Sequence, residues 1–159
     1  MASALETLQK ARVALCSACL LGVECRHDGT EKRRRAVLAA LAGKEVVPLC
    51  PEVAGGLGVP RPAADLSGGT GGAVLDGRAS VVTLDGRDVT EAFLRGASFA
   101  LEASRLHGAS VAVLKEGSPS CGTRRLKVAG TSVQGLGVAA AALDRAGVTL
   151  LSEEDLEQP

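Results

Sequence analysis

Short apolar, β-branched runs recur along the chain at RVALCSA (12–18), EVVPLC (45–50), SVVTL (80–84), ASVAVLK (109–115) and GVTLLS (147–152). Their length and the turn residues that bound them predict strands. The segments 31–41, 90–107 and 137–145 instead repeat their apolar positions at helical spacing. In the longest of these, Phe93, Ala97, Ala100 and Leu101 fall at i, i+4, i+7 and i+8 and form a core-facing stripe, with Glu91, Arg95, Glu102 and Arg105 largely outside it. Thr90 is placed to cap that helix and Gly108 to stop it. Near-continuous apolar strands alternating with helices predict a mostly parallel sheet covered on both faces, a three-layer Rossmann-like α/β sandwich.

The stretch AVLDGRASVVTLDG (73–86) carries Asp-Gly turn chemistry at both ends and predicts a small hairpin or edge excursion. Residues 54–72, AGGLGVPRPAADLSGGTGG, are rich in Gly and Pro and read as a long loop. No internal repeat or interdomain linker interrupts the pattern, so residues 1–159 are expected to form a single domain.

Charge and aromatic content narrow the partners. With 18 basic and 18 acidic residues the formal net charge is zero, which argues against a surface built to grip a long nucleic-acid backbone. There is no Trp or Tyr, and the two Phe provide no platform on which exposed bases could stack. A small ligand is favoured. Two basic runs, 32–35 (KRRR) and 124–127 (RRLK), are the places where a structured RNA would make phosphate contacts. No apolar run reaches the length of a membrane span, and the first twelve residues do not form a secretory signal, so a cytoplasmic location is expected.

The five cysteines are an odd number in a chain large enough to fold without disulfides, which points to metal binding or catalysis. Cys19, Cys50 and Cys121 each follow the carboxyl end of a predicted strand. In a parallel sheet those ends share one edge, where ligands bind. Cys16 lies inside a strand and reads as a small buried hydrophobe; a thiol-disulfide oxidoreductase using Cys16 and Cys19 is the competing reading of the C-x-x-C pair. Cys25, in the following loop, carries no assignment. A closed zinc site would need four ligands at paired spacings, and only one close pair exists. Three thiolates meeting at a crevice suit a [4Fe-4S] cluster with one iron left open to substrate. A non-enzymatic cluster-binding module is the other reading of the same trio.

SACLLGVECRHDG (17–29), CPEVAGGLGVPRP (50–62), GRDVTEAFLRGA (86–97), VLKEGSPSCG (113–122) and GLGVAAAALDRAGVTLLSEE (135–154) together resemble the DUF523 family of thiouracil desulfurases over nearly the whole chain. The resemblance implies a [4Fe-4S] cluster held by Cys19, Cys50 and Cys121. It further implies non-redox removal of sulfur from thiolated uracil or thiouridine derivatives. His27 stands where the family commonly has Tyr, and Asp65 where it often has Glu. A thione sulfur is a soft donor for cluster iron, and attack of water on the polarised carbon needs a base, the role expected of Glu52. Ser118 is expected to bind substrate or relay a proton, with Ser120 competing. Lys115 and Arg61 are candidates to orient a carbonyl or phosphate. The resemblance also places residues 26–28 near the site, although Asp28-Gly29 reads first as a turn. Free base, nucleoside, nucleotide and thiolated tRNA stay open as substrates, as does the oligomeric state.

Overall fold

In the computed structural model, which describes residues 2–157, strand β1 (Val13–Ser17) is buried at every position. Its side chains alternate between two cores. Val13 and Leu15 enter one cluster, Ala14 and Cys16 the other, as the two-residue period of a strand requires. Strand β5 (Val111–Leu114) does the same, with Ala112 and Leu114 on the first side and Val111 and Val113 on the second. These strands therefore read as unbroken apolar runs because both faces are covered.

The main sheet holds β2 (Glu45–Leu49), β1, β5 and β8 (Thr149–Ser152) in that order, all parallel. On its first face lie α5 (Thr90–His107) and α6 (Val138–Arg145), which contribute Phe93, Ala97, Ala100, Ala139 and Leu143. On the second face α1 (Ala4–Lys10) contributes Leu8, and α2 (Arg35–Leu41) contributes Val37 and Leu41. The expected three-layer α/β arrangement is present. Each fully buried Leu or Phe in these layers contributes about 1.5–3 kcal/mol of burial free energy.

A second sheet was not expected from the sequence pattern. It contains β4 (Ser80–Thr83), β3 (Ala64–Ser67), β6 (Arg125–Val128) and β7 (Thr131–Gln134) in that order. Two antiparallel pairs, β3 with β4 and β6 with β7, are joined by a parallel contact of Leu66 with Val128. Leu66, Val81 and Leu126 dip from it into the first core. The run 80–84 is thus a strand, but of this small sheet. The expected loop 54–72 contains β3 and the start of α4 (Gly71–Leu75). β3 escaped notice because ADLS has one fully buried apolar residue and is held by pairing on both sides.

Two local expectations are corrected. The stretch 73–86 is no hairpin of its own, since its first part is helical and β4 takes β3 as partner, but β4 does form an edge strand, of the second sheet. Both Asp-Gly steps do turn the chain: Gly77, at φ 77°, ends α4, and across Asp85-Gly86 Thr83 N–H donates to the Arg87 carbonyl at 2.8 Å. Thr90 is the first residue of α5 rather than its cap; its Oγ1 accepts from Val81 N–H at 2.9 Å, while Asp88 Oδ1 accepts from Thr90 N–H. Gly108 stops the helix as predicted, in the left-handed conformation at φ 66°. The buried stripe of α5 runs through Phe93, Ala97 and Ala100 to Ser104, with Leu101 at its partly exposed margin.

Candidate active site

β2, β1 and β5 are neighbours in a parallel sheet, so their carboxyl ends open onto one edge. Cys19 lies on a single 3-10 turn (Ala18–Leu21) directly after β1, and Cys50 immediately follows β2. Cys121 lies in the loop after β5. All three line one cleft of about 270 Å³, together with Glu52, Ser118, Ser120, Arg61 and Lys115. Across the cleft, Asp65 and Lys127 reach in from the second sheet, and Arg26 and His27 from the loop after β1. Asp28 instead turns to Thr30, accepting from both its N–H and its hydroxyl, and is not part of the lining.

Close packing of glycine against backbone sets Glu52 in place. α3 (Pro51–Ala54) lies across α5 so closely that a Cβ on Gly96 would meet the Pro51 carbonyl oxygen at 2.1 Å. Pro51 at the first helical position suits a start where no N–H partner is available. Glu52 Oε1 accepts from Arg61 Nε at 3.1 Å, and Oε2 accepts from Ser120 Oγ at 3.0 Å. Arg61 is fully engaged: Nη1 donates to the Gly58 carbonyl and Nη2 to the Cys25 carbonyl at 2.9 Å. It is a clamp for Glu52 and the Cys25 loop, not a free substrate contact. Lys115 is likewise committed, with Nζ donating to Glu153 Oε2 at 2.9 Å and to the Glu116 carbonyl.

The SPSCG loop resolves the two serines. Ser118 Oγ accepts from Ser120 N–H and from Cys121 N–H at 3.0 Å, the bonding of a turn former. Its hydroxyl also stands 3.1 Å from Ser120 Oγ. Ser120, the more buried of the two, carries the direct bond to Glu52 and lies 3.7 Å from Cys121 Sγ. The hydroxyls of Ser118 and Ser120 and the Glu52 carboxylate therefore form one continuous chain. The same loop closes on α6: a Cβ on Gly137 would meet the Ser120 carbonyl carbon at 2.5 Å, and the Pro119 and Ser120 carbonyls accept from the α6 amides of Val138 and Ala140.

The thiols differ in surroundings. Cys25, unassigned from sequence, lines the cleft, and its carbonyl accepts from the Cys50 thiol at 3.8 Å. Hydrogen bonding to Cys25, with burial added, drives the Cys50 pKa upward. Burial pushes Cys121 up to about 12 against the hydrogen bonds from Ser17 and Ser120. Cys16 is fully buried within β1, and burial, with Cys121 and Glu153 nearby, pushes its thiol up to about 12. Such a group is a poor attacking thiolate, which removes the physical basis of a Cys16/Cys19 redox pair. Among the described residues no three His, Cys, Asp or Glu side chains close on a point that could hold a single metal ion.

Three contributors were not singled out from the sequence. Ser17 Oγ accepts from Lys115 N–H at 2.9 Å and touches Cys121. Glu116 and Glu153 belong to a residue type that is seldom buried, yet both are buried. Of the two basic runs, 124–127 is partly neutralised by α7 (Glu153–Leu156): Arg124 pairs with Asp155 and Arg125 with Glu154. In the other run Arg34 pairs with Glu157 at 3.3 Å. Among the described residues no helix is long and apolar enough to cross a membrane.

A parallel sheet whose strand ends deliver cysteine thiols, a clamped carboxylate and two serine hydroxyls into one cleft defines an α/β protein with a thiol-lined reaction site. The sequence model of the 2-thiouracil desulfurase family matches residues 14–155, and the chain belongs to that family. It is 41% identical over 145 residues to the uncharacterized protein YbbK of Bacillus subtilis (strain 168), a match covering 89% of this chain and 96% of that protein. Among solved structures it is similar to the [4Fe-4S]-dependent thiouracil desulfidase TudS (DUF523Vcz), with a TM-score of 0.78 and 40% identity over 92% of this chain and 93% of that one.

Proposed function

We propose that this protein is a [4Fe-4S]-dependent desulfidase that converts a thiolated pyrimidine, 2- or 4-thiouracil or a derivative of it, to the oxygenated base. The observation that carries the reading is the meeting of Cys19, Cys50 and Cys121 with Glu52 in one cleft. The donor set fits the cluster: three soft sulfurs from separate elements line one cleft. Cys19, Cys50 and Cys121 would hold it, with Cys25 as an uncoordinated thiol in the cleft wall. When bound, the cluster supplies an open, soft Lewis-acid iron suited to a thione sulfur.

The chain's own residues do the rest. Glu52 Oε2 takes a proton from the attacking water, and Arg61 on Oε1 keeps the carboxylate aimed into the cleft. The water oxygen bonds to the ring carbon, the carbon–sulfur bond breaks, and sulfur departs with its electron pair as sulfide. One thiocarbonyl and one water become one carbonyl and one hydrogen sulfide, with no net oxidation or reduction. The hydroxyls of Ser120 and Ser118 carry the proton from Glu52 toward the leaving sulfur or the ring nitrogen. Five unpaired thiols suit a reducing compartment such as the cytoplasm. The ion pairs of Arg124 and Arg125 with α7 favour a small substrate over thiolated tRNA.

The test is to load the protein anaerobically and incubate it with 2-thiouracil and 4-thiouracil, following the loss of thione absorbance and the release of sulfide. Stoichiometric conversion over many turnovers is expected. A fully loaded protein that converts neither base nor their nucleosides or nucleotides would leave only a cluster-binding module.

A further inference from the structure

The loop that carries Ser118, Ser120 and Cys121 begins immediately after Glu116, a residue only 3% exposed that forms no ion pair among the described residues. Its carboxylate is instead wrapped by the loop itself. Oε1 accepts from the N–H groups of Gly117 (3.2 Å), Thr123 (3.0 Å), Arg124 (2.9 Å) and Arg125 (3.1 Å), while Oε2 accepts from Thr123 Oγ1 at 2.7 Å. Four backbone donors converging on one oxygen pin both ends of the 117–125 segment to the same point. A buried carboxylate tolerates this position only because those bonds replace its lost hydration. The residue is in turn anchored from below, because Glu116 N–H donates to Glu153 Oε1 at 2.8 Å.

We propose that Glu116 is the positioning residue of this loop: its carboxylate holds 117–125 in the shape that presents Cys121 and Ser120 to the cleft before any cofactor binds. The carboxylate of Glu116 is taken up by the loop, through Gly117, Thr123, Arg124 and Arg125. It acts through the backbone, as a fixed anion around which the segment turns. The consequence for cofactor retention rests on the reading of Cys121 as a cluster ligand; the consequence for loop order does not.

Hydrogen exchange of the metal-free, full-length chain tests the loop. The Thr123, Arg124 and Arg125 amides are expected to exchange about tenfold or more faster in Glu116→Gln than in wild type, because bonds to a neutral amide are about half as strong as those to a carboxylate. The amides of β5 should stay unchanged. Thr123→Val, which removes only the Oε2 contact, provides the milder variant should Glu116→Gln not fold, and is expected to speed exchange at residues 123–125 by about threefold. Unchanged exchange at 123–125 in whichever variant folds overturns the proposal. After cluster loading, Glu116→Gln is expected to lose its visible absorption to an iron chelator several times faster than wild type. Equal bleaching rates overturn the link to Cys121. A wild-type protein that takes up no cluster defeats the desulfidase reading, while its exchange data still decide the role of Glu116.

Discussion

Arg61 Nε donates to Glu52 Oε1 at 3.1 Å, with the two side chains only 7% and 15% exposed. This pair joins the glycine-rich segment after α3 to the cleft carboxylate, and through Arg61 Nη2 to the Cys25 backbone. Arg61→Ala leaves Glu52 semi-buried without its partner. It is expected to lower stability by about 2–4 kcal/mol and turnover by tenfold or more, measured by denaturant unfolding and sulfide release. Arg61→Lys is expected to recover stability better than activity, since an ammonium cannot span Glu52, Gly58 and Cys25 together.

Glu52 and the serines separate by function. Glu52→Ala is expected to keep the visible colour of the loaded protein and lose turnover by about 10²–10⁴-fold, the ordinary worth of a positioned acid or base. Retained turnover would remove Glu52 from the mechanism. Ser120→Ala is expected to lower turnover at nearly wild-type stability. Ser118→Ala should also cost about 1–2 kcal/mol in unfolding, because its Oγ accepts from the N–H groups of Ser120 and Cys121.

Single replacement of Cys19, Cys50 or Cys121 by Ala is expected to bleach the visible absorption of the anaerobically loaded protein. Cys25→Ala is expected to retain the colour. Cys16→Ala should retain it as well, and lose about 1 kcal/mol of stability through the small cavity left in β1. Loss of the cluster in Cys25→Ala alone would reassign the ligand set.

Gly96→Ala places a methyl where the Pro51 carbonyl stands, 2.1 Å from its oxygen. Backbone must move, so a loss of about 1–3 kcal/mol is expected. Turnover should fall further than this loss of stability explains, because the displaced helix carries Glu52. Thermal unfolding and steady-state rates on one preparation check both.

Acid stability reports on Glu116. Burial raises its pKa, but the bonds from Thr123, Arg124, Arg125 and Gly117 together outweigh burial and hold it below the ordinary 4.5. A depressed folded-state value means that the stabilisation is complete above the unfolded value and is lost as pH falls through the folded one. Wild type should therefore lose stability as pH drops below about 4.5, and Glu116→Gln should show a shallower slope there and lower stability at pH 7. Equal slopes in the two proteins would show that the carboxylate contributes nothing to this limb.

The amino-acid order by itself determined the four strands of the main sheet, the helices α2, α5 and α6 that flank it, though not α1, and the sharing of one edge by Cys19, Cys50 and Cys121. These follow from local periodicity: unbroken apolar runs, helical stripes, and cysteines placed just past the strands. Glu52 was legible as the carboxylate nearest a cleft thiol in the chain. Only the tertiary structure decided the second sheet, since the short polar strands β3, β6 and β7 are defined by long-range pairing and carry little apolar signal of their own. It also decided that Arg61 and Lys115 are clamps, that Ser120 rather than Ser118 bonds Glu52, and that Cys25 joins the cleft. Glu116 and Glu153 were hidden for the same physical reason. Sequence spacing reports which face of an element is apolar, whereas the burial of a charge depends on which distant amides and cations come to meet it.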